Sequence, residues 1–280
     1  MRMTRTIVPA ATLLLLSGVP ALAQRGARDP QAAEDDFMDQ CHDNQRRWND
    51  DRVRFCEVRE RRIPATRLLD VDGQQNGSVS VHGWSRSEVL VVAKIQSEGE
   101  DPNEARDLAA GINIQTGGGH VRAEGPSTRR RQSWSVSYDV WVPQQTDLRV
   151  ATQNGGVSVE DVDGRMEMSA VNGGIHLRGV SGDVRGETTN GPLSVELDGD
   201  QWRGPGLDLR TTNGPVNLDV PEGYSAQLET GTVNGGMRID FPITLQGGMV
   251  GRRITTQLGR GGAPIRAVTT NGPVVIRRAR

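Results

Sequence analysis

Glycine stands at positions 155, 164, 173, 182 and 191, an interval of nine residues each time, and the residues before these glycines are Asn154, Asp163, Asn172, Ser181 and Asn190. Each is a turn-former followed by the residue with the least steric hindrance. A chain that turns every nine residues and alternates apolar and polar residues in between has few folds open to it. Asn-Gly itself occurs at Asn154, Asn172, Asn190, Asn213, Asn234 and Asn271 in the second half, each time ahead of an alternating segment. Reading every second residue gives inward sets: Val157 and Val159, Met166 and Met168, Ile175 and Leu177, Leu193 and Val195. The pattern continues at Leu207 and Leu209, Val216 and Leu218, Ala226 and Leu228, Met237 and Ile239, and Val274 and Ile276. Two nine-residue halves make a coil of about eighteen, which predicts an all-β fold: a β-solenoid with two strands per coil over residues 147–280.

Asn-Gly also favours two-residue hairpins, so a meandering antiparallel sheet is the competing fold. The constant step favours coils, and so does a second regularity. Thr152, Thr188, Thr211, Thr232 and Thr269 each lie two residues before a repeat asparagine, with Ala170 in the same place before Asn172. Stacked coils would therefore carry columns of threonine and asparagine. Asparagine offers a donor and an acceptor and tolerates the left-handed conformation, so Asn154, Asn172, Asn190, Asn213, Asn234 and Asn271 are expected to form a structural ladder over otherwise bare backbone groups at the corner. On that reading Asn190→Ala strands buried polar groups and costs about 1–3 kcal/mol.

The preceding residues are less regular. Arg2 and Arg5, an apolar stretch over residues 7–19 and the small residues Ala21 and Ala23 read as a secretory signal over 1–23, so the mature chain begins at Gln24. The stretch is shorter than the ~20 residues a membrane span needs, so no transmembrane segment is expected in the mature chain. Residues 24–36 read as a flexible leader. Residues 37–63 read as a short helical segment, from the spacing of Phe37, Cys41 and Trp48. Cys41 and Cys56 are the only cysteines, and in an exported chain they are expected to pair, contributing about 3 kcal/mol. Residues 64–146 read as a less regular N-terminal β region able to cap the coils, with one helix opened by Asp101 and Pro102.

Chemistry is harder to find. The chain holds 33 basic and 35 acidic side chains, a balance that argues against nucleic acid as a partner. His42, His82, His120 and His176 show no metal-ligand spacing, and no G-x-S-x-G elbow occurs. The acids at Asp70, Asp72, Asp161 and Asp163 do not recur from turn to turn as calcium ligands must. Glu160, Asp161, Glu187, Glu196, Asp198 and Asp208 are scattered, and none forms a pair of the kind glycosidases use. No catalytic residue, metal or cofactor is therefore assigned. Arg129, Arg130 and Arg131, just before Trp134, form a basic run suited to phosphate or uronate on a polymer, or simply a solvated loop.

Three stretches carry a family likeness: Asn76-Gly-Ser-Val-Ser-Val-His-Gly-Trp84, Trp134-Ser-Val-Ser-Tyr-Asp-Val-Trp-Val-Pro143, and Thr-Thr-Asn-Gly-Pro at Thr188, Thr211 and Thr269. In these the chain resembles the bacterial putative-adhesin family of β-strand-repeat proteins, over residues 68–278. The resemblance implies an exported β-solenoid of the cell envelope, periplasmic or secreted, and offers no catalytic residues to carry over. The reading is a noncatalytic, adhesin-like binding or structural protein whose partner is an unidentified protein or polysaccharide of the envelope. A sensory or scaffolding component of an envelope-stress response is the alternative, and a carbohydrate-active enzyme a distant one.

Overall fold

Segments that alternate apolar and polar residues bury one side and wet the other, and here they assemble into two sheets that face each other across a shared core. The computed structural model describes residues 29–47, 52–240, 249–250 and 252–279. The expected signal at 1–23 lies outside the described residues. Among the described residues one sheet has ten strands and the other eleven. The chain passes between them at each turn: Val157–Glu160 in the ten-stranded sheet, Asp163–Ala170 in the eleven-stranded one, Ile175–Arg178 back in the first, Ser181–Asn190 in the second, and Leu193–Glu196 in the first again. Neighbours are parallel, with Val157, Ile175 and Leu193 in one register column and Leu148, Met166 and Val184 in another. The interval is eighteen residues in both columns. This is the β-solenoid, with two strands per coil.

Coils follow one another in chain order from Asp147 to Val220, and then the order breaks. The last coil is not at the end of the stack. Pro264–Asn271 lies between Gly206–Asn213 and Ala226–Asn234, and Val274–Arg278 lies between Val216–Val220 and Met237–Ile239. The other end is built the same way. Leu68–Asp72 sits between His120–Glu124 and Asp147–Thr152, and Val79–Trp84 between Ser133–Pro143 and Val157–Glu160. The first and last coils are thus each inserted one place inward. Ile265, Ala267, Val274 and Ile276 are at most 1% exposed as a result. A terminal coil left at the end would present one bare edge to solvent; inserted, it has hydrogen-bonded neighbours on both sides.

The region before residue 147 is therefore no separate cap. One hydrophobic core runs without interruption from Leu69 to Ile276. Capping falls to its outer part, where Val53–Pro64, Glu88–Gly99 and Ser133–Pro143 pair antiparallel beyond the last parallel coil. The helix Pro102–Ala110 packs Ala105, Leu108 and Ala109 inward. Asp101 caps it by accepting from the backbone N–H of Asn103 and Glu104 at 2.8 and 3.0 Å. At the far end, Arg253–Leu258 folds antiparallel onto Ala226–Asn234.

The N-terminal segment differs from its sequence reading. A helix spans Pro30–Arg47, starting inside the stretch expected to be a flexible leader, and Val53–Pro64 is a strand where helix was expected. The reason is tertiary. Val53–Pro64 pairs along its whole length with Glu88–Gly99, a partner that local periodicity cannot reveal. The helix covers an apolar patch on the outer side of the ten-stranded sheet, where Ala33 meets Trp84, Leu90, Val92 and Trp141. The Cys41–Cys56 disulfide ties helix to strand with a Cα–Cα distance of 6.5 Å.

Candidate functional site

The corner marked by Asn-Gly is the most regular feature of the molecule. Each asparagine Nδ2 donates to the Oδ1 of the next coil's asparagine: Asn154 to Asn76 at 3.1 Å, Asn172 to Asn154 at 2.7 Å, Asn190 to Asn172 and Asn213 to Asn190 at 2.8 Å. Asn271 then donates to Asn213 at 2.8 Å, and Asn234 to Asn271 at 2.9 Å. The ladder thus brings together the six repeat asparagines, adds Asn76, and follows the spatial order of the coils rather than their order in the chain. Two parts of the sequence reading need correction. All seven asparagines are exposed, and none has a positive φ. The buried bonds belong to threonine, whose hydroxyls donate across coils: Thr152 to the Gly77 carbonyl, Thr188 to Gly173, Thr211 to Gly191 and Thr269 to Gly214, at 2.6, 2.6, 2.9 and 2.8 Å. Glycine after asparagine is there for close approach. A Cβ at Gly173 would lie 1.8 Å from the Gly155 carbonyl oxygen, and one at Gly191 2.2 Å from that of Gly173.

The outer face of the eleven-stranded sheet carries charge in register. Asp70, Arg149, Glu167, Arg185, Asp208, Arg266 and Glu229 occupy one row across seven consecutive strands, alternating in sign at every step. Neighbours pair at the ends of the row. Arg149 lies 3.5 Å from Asp70 and 3.7 Å from Glu167, and Arg266 lies 3.0 Å from Asp208 and 3.2 Å from Glu229. Partial burial pushes the Asp208 carboxyl up, but hydrogen bonds from Arg210 and Arg266 outweigh it and hold the group below its ordinary range. A shallow groove of about 760 Å³ runs over the middle of this face.

On the ten-stranded sheet, His82, Glu160, Arg178 and Glu196 share a row. His82 is 3% exposed, stacks on Trp141 at 5.2 Å, and places Nδ1 3.4 Å from the Glu160 carboxylate. That contact, with Arg178 at 2.8 Å, holds Glu160 down at about 2 against the opposing effect of burial. Beside this row, at the second corner of the coils, a cleft of about 750 Å³ is lined by Trp84, Arg86, Trp141, Asp161, Ser181 and Arg203 among others. Asp161 has a left-handed backbone with φ of 56°, and burial raises its carboxyl. The Arg86 guanidinium covers Trp84 at 4.8 Å. Ser181 is 3% exposed, and its hydroxyl has no hydrogen-bond partner among the described residues.

The remaining candidates do not converge. Arg129, Arg130 and Arg131 lie in an exposed loop, where Arg131 faces Glu100 at 3.5 Å. Trp134 turns away from them, packs on the core and donates from Nε1 to the Pro126 carbonyl at 2.9 Å. Of the scattered carboxylates, Glu160 is held by His82 and Arg178, and Asp208 by Arg210 and Arg266. His176 is exposed on a strand. No group of three or more metal-ligating side chains occurs among the described residues.

Residues 74–277 match the family model described as Toastrack DUF4097. The chain belongs to this family. None of the curated proteins matches it. Among solved structures, this Toastrack chain is similar to a "putative cell adhesion protein" from Clostridium sporogenes at 7% identity, with 80% of this chain and 100% of that one covered and a TM-score of 0.43. It is also similar to a "putative lipid binding protein" from Parabacteroides distasonis at 10% identity, covering 79% and 96% with a TM-score of 0.36. A "putative adhesin" from Bacteroides fragilis is similar at 9% identity, covering 80% and 97% with a TM-score of 0.35.

Proposed function

We propose that this Toastrack chain is an exported, noncatalytic, adhesin-like protein that binds a protein or polysaccharide of the bacterial cell envelope, on a rigid stack of coils. The observation that carries the binding role is the cleft beside Ser181. Other buried polar atoms also lack a hydrogen-bond partner among the described residues, those of Tyr138 and Thr232 included, but Ser181 is the one of them that lines this cleft. An unpartnered buried hydroxyl is costly, and a ligand hydroxyl or amide entering the cleft relieves the cost. Asp161, Arg86 and Arg203 provide acceptors and donors around it. Export is supported by residues 1–23 and by the Cys41–Cys56 pair, which suits an oxidising compartment.

Two experiments test this. Immobilised protein incubated with solubilised envelope fractions and purified envelope polysaccharides is expected to retain a component that the exposed-site variant Arg203→Glu does not; equal retention by both, or by neither, contradicts the role of the cleft. Expressed from its full sequence, the protein is expected in the periplasm or medium with Gln24 as its first residue. Recovery from the cytoplasm with residues 1–23 attached contradicts export.

A further inference from the structure

The charge pattern on the outer face of the eleven-stranded sheet does more than pair neighbouring strands. Its ends are paired laterally, but its middle is not. Among the described residues Arg185 forms no ion pair with Glu167 or Asp208 on the adjoining strands and turns instead to Asp183 of its own strand at 3.4 Å, with its side chain 68% exposed. Two residues further along the same strands, a second row carries Glu187 beside Arg210, flanked by the small or apolar Ala151, Ser169, Val268 and Gly231. The groove lies over this middle, where Gly206 keeps the surface low.

A row of alternating signs is self-complementary when reversed, provided the centre of reversal falls between two strands. Take a two-fold axis parallel to the strands, lying over this face midway between Ser181–Asn190 and Gly206–Asn213. Rotation about it brings a second copy face to face with the stack of coils running the other way. Arg185 then meets the partner's Asp208, Glu167 the partner's Arg266, and Arg149 the partner's Glu229. The second row obeys the same axis independently, because Glu187 meets the partner's Arg210 while Ala151 and Ser169 meet the partner's Gly231 and Val268. The row on the other side adds no conflict: Asp183, Arg165 and Asp147 meet the partner's Gly206, Pro264 and Gln227, none of them charged. Placing the axis on a strand, or along the stack directly over the row, sets cation against cation instead.

We propose that this face is a self-association surface on which two copies of the chain pair antiparallel about that axis. The contact is isologous, so each ion pair occurs twice. It is polar and exposed, and hence weak and sensitive to ionic strength. The cleft beside Ser181 draws Trp84 and Trp141 from the other sheet, so this pairing does not depend on what that cleft binds.

Sedimentation velocity on the protein lacking residues 1–23 tests the proposal. At low salt the protein is expected to show a concentration-dependent dimer that dissociates as salt approaches ~1 M, where screening reaches only about 3 Å. Arg185→Asp and Asp208→Arg should each weaken the dimer roughly tenfold or more by opposing like charges. Mixed in equal amounts, the two variants should dimerise with each other, because each supplies the sign the other lacks at both copies of the pair. Should Asp208→Arg fail to fold, Glu187→Arg mixed with Arg210→Glu makes the same test on the second row. A protein that stays monomeric at low salt and high concentration, or variant mixtures that stay monomeric, would overturn the proposal; so would an Arg185→Asp dimer as strong as the original.

Discussion

Thr188 is 4% exposed and its hydroxyl donates to the Gly173 carbonyl at 2.6 Å, whereas Asn190, two residues on, is open to solvent. Removing the donor leaves a carbonyl at a tight corner without its partner, so Thr188→Val is expected to cost about 1–3 kcal/mol. Asn190→Ala loses hydrogen bonds that water can replace, and should cost only about 0.5 kcal/mol. Gly173→Ala forces apart coils that its Cβ would overlap and should cost about 3 kcal/mol or more. Urea denaturation of the three variants checks the order, and an asparagine effect as large as the threonine one contradicts it. Glu160 gives a pH signature. Its carboxyl falls from an ordinary 4.5 to about 2 in the folded protein, so its contribution is complete above pH 4.5 and is lost as pH falls towards 2. Glu160→Gln should therefore flatten part of the fall in melting temperature over that window; an unchanged acid profile would mean that the contacts with His82 and Arg178 contribute nothing.

At the scale of the element, the helix Pro30–Arg47 is an addition held to the sheet by Cys41–Cys56 and by a small apolar contact around Ala33. Cys56→Ser should cost about 3 kcal/mol for the tethered segment while the coils stay folded. Amide exchange checks this: protection should fall in the helix and in Val53–Pro64 but persist in Ser181–Asn190, and a uniform loss of protection contradicts the modular account. How far each element could be read from sequence follows from where its partners lie. The helix after Asp101 was legible because its cap, proline and apolar side are all local. Coil strands from Asp147–Thr152 to Leu193–Glu196 were legible because a partner lies eighteen residues away and repeats the same pattern. Val53–Pro64 was not, since its hydrogen-bonded partner strand among the described residues begins at Glu88.

For the whole molecule, the two-sheet solenoid follows from the nine-residue step, and even the charge rows are foreshadowed: Arg149, Glu167 and Arg185 stand eighteen residues apart with alternating sign. Sites escaped for a different reason. The cleft forms where Val79–Trp84, Ser133–Pro143 and the following corners meet, and the isolation of the Ser181 hydroxyl is a property of the packed state alone. The inserted terminal coils escaped too, because the apolar faces of Gly206–Asn213, Ala226–Asn234 and Pro264–Asn271 are interchangeable in pattern, and the alternation does not encode which two adjoin. Oxidative cross-linking between engineered cysteines reads the order of the coils. Thr212, Thr270 and Val233 are exposed on three strands whose order the account fixes, with Thr270 in the middle. Thr212→Cys with Thr270→Cys should form a disulfide rapidly and Thr212→Cys with Val233→Cys should not; efficient bonding of the second pair, with none of the first, would show coils stacked in chain order and contradict the account.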